Sequence, residues 1–295
     1  MLTWRLWNQL HNPVFHPQFR RTLRTPPSDI TTPYMAWLVA MGGIFSCCGI
    51  WTLLIHLRAS FAVLLVMAMV FFTSSFYVVA WVIAVSITIA REHERGTYDQ
   101  LCLPPSGALG ANWAICAASL HRNDALGWVN FLRKLITGTL LLIFLMILAT
   151  SILTQHGPNP LQFLLLFLDI TALAAASYID HVQSIVLGCL IGMLTPTYVP
   201  RRLDARVFGA GLFLTLQLTV YASTWVFGFL LPDLLFDLFG ISGWLPSIAL
   251  VVFRVALFYA LREAVILRVW RVLTERLNAD PRGGDLVARF ATGVE

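Results

Sequence analysis

The stretch Leu161–Thr195, LQFLLLFLDITALAAASYIDHVQSIVLGCLIGMLT, decides how this chain is read. It is apolar enough throughout to lie in lipid. It is also longer than the roughly 20 residues that cross a hydrocarbon core of about 30 Å. Asp180 and His181 sit inside it. Hydropathy alone leaves two readings open: one long or broken span, or two short spans turning near Asp180.

The flanking charges choose between them. The same length ruler gives further spans at Tyr34–His56, Phe61–Ala90, Leu135–Leu153, Val207–Leu231 and Trp244–Leu261. With one span at 161–195, Arg201, Arg202 and Arg206 share a side with Arg5, Arg20, Arg21, Arg24, the 91–134 loop and the Arg-rich tail. The opposite loops (57–60, 154–160 and 232–243) then hold Arg58, Asp233 and Asp237. Two spans would move the 201–206 cluster and the tail outside. Basic residues are retained in the cytoplasm, so a single crossing is expected. The expectation is an all-α integral membrane protein with six transmembrane helices, both termini inside, in the cytoplasmic membrane.

Composition agrees. Of 295 residues 58% are hydrophobic and 12% charged, with a mean hydropathy of +0.76. A soluble domain carries roughly 25% charged residues. A chain so short of charge needs lipid as solvent. The net charge of +5 includes no Lys/Arg run of the kind that binds nucleic acid, and Lys134 is the one lysine. Five cysteines (Cys47, Cys48, Cys102, Cys116, Cys189) show no metal-ligand spacing and read as packing residues, so no metal site is expected. The first 33 residues hold five prolines and no apolar core of signal length, so no signal peptide is expected.

Three segments follow. Residues 1–33 form an amino-terminal amphipathic or connecting segment, which mixes Trp4, Leu6, Trp7, Leu10, Phe15 and Phe19 with its arginines as a helix lying on the inner leaflet would. Residues 34–262 hold the six spans, with the cytoplasmic loop 91–134. Residues 263–295 form a cytoplasmic amphipathic tail, where Ile266, Val269, Trp270, Leu273 and Leu277 recur at helical spacing.

The 91–134 loop begins Arg-Glu-His-Glu-Arg-Gly-Thr-Tyr-Asp-Gln-Leu-Cys-Leu-Pro-Pro-Ser (91–106). Its first residues extend the second span beyond the membrane. Gly96 permits a bend, and Thr97-Tyr98-Asp99 can start a short helix that Pro104-Pro105 ends. The product is a charged helix–turn–helix suited to receive force from a cytoplasmic partner.

This segment resembles the permease subunits of ABC-2 type transporters, in which the second span runs into an E-x-E-x-G-T-x-x-x-L stretch and a T-P-x-S turn, the coupling helix. Glu92, Glu94, Arg95, Gly96, Thr97, Leu101, Pro105 and Ser106 fall on that pattern. Asn12-Pro13-Val14-Phe15 and the arginines after it are similar to a connecting helix of some such permeases, and the 232–243 outer segment fits too. The resemblance implies a translocation pathway built by two permease chains, identical or different, and driven by separate ATPase subunits that hold ATP and Mg. It leans to export. The chain has no G-x-x-x-x-G-K-[ST] of its own, so it is expected to be no enzyme and to carry no cofactor.

Polar residues at bilayer depth default to functional hypotheses. Gln162, Asp169, Asp180 and Gln183 return to one face of a helix, and His181 lies beside them. Gln217, Tyr221 and Thr224 stack on the fifth span, and Arg254 sits near the middle of the sixth. Read functionally, Asp169, Asp180, His181, Gln183, Gln217, Tyr221 and Arg254 line a polar passage. Read structurally, Asp180 pairs with Arg254 to fix packing. Small residues at four-residue spacing (Gly42/Ser46, Gly43/Cys47, Gly188/Gly192) allow close helix contact, within the chain or with a second permease. The alternative to transport is a membrane scaffold or anchor subunit that keeps the permease layout. An ion-coupled transporter using Asp169 and Asp180 is disfavoured, because no repeated halves are visible.

Overall fold

The structure, a computed structural model, describes residues 1–11, 59–102, 107–122, 160–199, 201–239 and 244–277. The expected spans Tyr34–His56 and Leu135–Leu153, the connecting motif at Asn12, Pro105, Ser106 and the small residues of 42–47 lie outside the described residues. Every described element is helical: α1 (Leu2–His11), α2 (Ala59–Glu94), α3 (Tyr98–Leu101), α4 (Gly107–Arg122), α5 (Pro160–Tyr198), α6 (Arg202–Trp225), a π-helical turn (Val226–Leu230), α7 (Leu231–Phe239) and α8 (Trp244–Arg276).

The ambiguous stretch is one helix. α5 runs for 39 residues, about 58 Å at 1.5 Å per residue, with no break at Asp180. Among the described residues two stretches are long and apolar enough to cross a membrane, Ala175–Tyr198 and Arg202–Phe236. Their surroundings differ: 83% of the first is buried, against 17% of the second.

The helices divide between two compact units. The first comprises Met1–Leu126, His181–Gln217 and Val265–Glu295; the second comprises Gly127–Asp180 and Leu218–Ala264. In the first unit α2 and the carboxyl-terminal part of α5 lie parallel, with α6 running against both. Two glycines of α5 set that contact. A Cβ on Gly188 would overlap Val78 Cγ1, and one on Gly192 would come within 3.0 Å of Val85. Ser86 Oγ also donates to the Gly192 carbonyl at 3.3 Å. The Gly188/Gly192 pair is therefore used inside the chain, where close backbone approach gains dispersion contact. From α6, Gly209 packs on Thr195 and Ser86.

Three features of this unit differ from the sequence reading. The 91–134 segment contains α4, whose Ala111–Leu120 is wholly buried and which packs on α2. Small Gly and Ala side chains let this helix be enclosed on all sides. The tail is no separate element, because α8 continues unbroken from Trp244 to Arg276 through the boundary drawn at residue 262. Its Ile266, Val269, Trp270 and Leu273 are buried in the protein core. Likewise α1 buries Thr3, Leu6 and Leu10, so its apolar stripe packs on protein.

The second unit carries many apolar side chains on its surface. Leu218, Trp225, Phe227, Leu234, Leu238, Phe239, Val252 and Phe253 are all exposed. So many large apolar side chains facing outward exceed what water-exposed surfaces carry singly.

Candidate functional site

The turn after α2 is built from its own charges. Gly96 adopts φ +66°, the left-handed conformation that a side chain disfavours, and its N–H bonds the His93 carbonyl at 3.0 Å. Thr97 Oγ1 donates to Glu92 Oε2 at 2.6 Å, tying the residue after the turn to the helix before it. His93 stacks on Tyr98 with ring centroids 3.6 Å apart. Asn112 Nδ2 donates to the Tyr98 hydroxyl at 3.0 Å, which joins α3 to α4.

Glu94 reaches further. Its Oε2 pairs with Arg202 Nε, and its Oε1 accepts the Arg202 backbone N–H at 3.2 Å. A carboxylate so placed caps the first turn of α6 and complements its dipole. The turn is thus coupled to a second long helix within the same unit. Among the segment's residues Arg95, Gly96 and Gln100 are exposed, while Glu92 and Thr97 are half-buried and engaged with each other. Leu101 lies in α3.

The expected intramembrane residues separate into distinct sites. In the second unit Asp180 forms a buried ion pair with Arg262, Nη2 to Oδ1 at 2.6 Å, with both side chains at most 3% exposed. Arg262 Nη1 also donates to the Asp180 carbonyl at 2.9 Å. The Tyr221 hydroxyl donates to Asp180 Oδ1 at 2.9 Å. Phe258 stacks on Tyr221, and the guanidinium lies over both rings, 5.1 and 5.5 Å from their centroids. One network holds α5, α6 and α8 together.

The partner expected for Asp180 was Arg254, two turns earlier on α8, and the structure puts Arg262 there instead. Arg254 has other work. Its Nε donates to the Gly228 carbonyl at 2.8 Å, and its guanidinium lies 4.2 Å from the Phe229 ring centroid. The reason is local. Pro232 stands four residues after Gly228 and has no N–H to give that carbonyl, while Leu231 N–H bonds Val226 O in the π-helical turn. Where water is absent, freed backbone groups must be satisfied by a neighbour, and Arg254 does so. Asp169 is exposed and lies within electrostatic reach of Arg254.

In the first unit Gln217 Nε2 donates to Ser75 Oγ at 3.1 Å and to Ser184 Oγ at 3.3 Å, all three buried. Gln183 is buried, and neither of its amide atoms has a hydrogen-bond partner among the described residues. His181 meets Trp7 edge-on at 6.3 Å. In the second unit Thr224 bonds back to Val220 O of its own helix. Arg262, Ser75, Ser184 and Asn112 carry no signal of these contacts in the sequence. Arg262 had closed the apolar window of the last span, and the serines carry no periodic signal.

No protein-family model matches the chain, and neither a curated protein nor a solved structure does.

Proposed function

We propose that the chain is the permease subunit of an ABC-2 type transporter: six spans, both termini cytoplasmic, a second permease chain beside it, and a separate ATPase subunit that supplies ATP hydrolysis for export. The observation that carries this is the charged turn at the end of α2. A left-handed Gly96 and the short helix α3 present Arg95 and Gln100 outward, while Glu94 links the turn to α6. Such a projection can receive a push from a cytoplasmic partner and pass it to two long helices. Residence in a membrane is supported by the outward apolar side chains of the second unit and by the two stretches of crossing length.

One observation favours the scaffold reading. Asp180, Tyr221 and Gln217, read as lining a passage, are bonded to neighbours within the protein. A satisfied buried network specifies packing and needs no substrate. Purification from native membranes separates the two. A permease co-purifies with a P-loop ATPase that Arg95→Glu releases, and a stable complex without any ATPase supports the scaffold.

A further inference from the structure

The cysteines read from sequence as packing residues include a pair. Cys116 of α4 and Cys189 of α5 face each other inside the first unit, Sγ to Sγ 2.8 Å, 73 residues apart in the chain. Both are fully buried. Non-bonded carbon atoms make best contact at roughly 3.5–4.0 Å, and sulfur is the larger atom. The two sulfurs are therefore closer than an ordinary van der Waals contact. A disulfide bond is about 2.05 Å long, so the atoms need less than about 1 Å of further approach.

The surroundings bring the pair to a junction. Gly188 and Gly192 flank Cys189 and seat α5 on the valines of α2, while α4 packs on the same helix. α2 therefore contacts both cysteine-bearing helices, and a bond between them would close the triangle. α4 is also tied through Asn112 to Tyr98 of the charged turn.

We propose that Cys116 and Cys189 form an intrachain disulfide on oxidation by a small uncharged peroxide, locking α4 to α5. In the balanced step the two thiols lose two protons and two electrons and form one S–S bond. Hydrogen peroxide takes up both, its O–O bond breaks, and two waters leave. Full burial selects the oxidant, because a charged tripeptide thiol or disulfide does not reach these atoms, whereas a neutral molecule of peroxide size does on local opening. The cross-link is independent of transport and holds for permease and scaffold alike.

The test uses the full chain in detergent, treated with hydrogen peroxide, denatured, alkylated and mapped without reduction. The expected result is one linked peptide pair containing Cys116 and Cys189, lost on dithiothreitol, with Cys102 alkylated. Oxidation also raises the melting temperature, as closure of a long loop does, and Cys116→Ser abolishes that rise. Recovery of Cys116 and Cys189 both alkylated, both over-oxidised without linkage, or linked to Cys47, Cys48 or Cys102 overturns the proposal.

Discussion

Asp180 and Arg262 neutralise each other inside the protein, and the Tyr221 hydroxyl donates to the same carboxylate oxygen. Removing one member of a buried pair leaves the other charge uncompensated, at about 3–5 kcal/mol. Asp180→Asn and Arg262→Gln are each expected to lower the melting temperature sharply, and the double variant to recover part of the loss. Arg254→Gln in the Asp180→Asn background recovers none. Thermal unfolding of the four variants checks both statements.

The Arg254–Gly228 bond predicts a coupling between residues that do not bond each other. Truncating Arg254 to Met leaves a buried carbonyl without a donor, at about 1–3 kcal/mol. Pro232→Ala supplies a backbone N–H at the position that normally serves Gly228. Arg254→Met should therefore cost markedly less in the Pro232→Ala protein. Equal costs in both backgrounds would contradict the account of the π-helical turn.

Gly188 and Gly211 make a matched pair of tests. Gly188→Ala forces a methyl group into Val78, an overpacking cost of about 1–3 kcal/mol, which Val78→Ala should relieve. Gly211 has open space around it, so Gly211→Ala should be neutral or stabilise by up to about 1 kcal/mol through helix propensity. Chemical or thermal denaturation reads both.

These positions show what sequence can and cannot carry. The long helices follow from unbroken apolar runs, and Gly96 marked its turn because a left-handed backbone favours glycine. The partner of Asp180 did not follow, because the rotational phase of one helix against another depends on packing spread over many residues. The apolar run of the last span ends at Leu261, which leaves Arg262 outside it, and its partner Asp180 lies 82 residues away. The buried α4 was concealed by the polar residues that follow it, and its Gly- and Ala-rich composition gives weak periodicity. In the charged turn, residue types were legible, while the engagement of Glu94 with α6 required the fold.

That engagement separates two residues of the motif. Glu94 and Arg202 are partly exposed, so Glu94→Gln should cost under about 1 kcal/mol, and less at high salt. Arg95→Glu should leave stability unchanged and still weaken retention of the ATPase. Melting curves at two salt concentrations, set beside pull-down yields, distinguish docking from internal bracing.

The most direct measurement places a photo-crosslinking residue at Gln100, exposed on α3, by the substitution Gln100→p-benzoylphenylalanine, and irradiates native membranes. The permease reading predicts a single dominant adduct whose partner carries a P-loop, diminished by Arg95→Glu. Adducts to lipid alone, or to proteins without a nucleotide-binding motif, would contradict it.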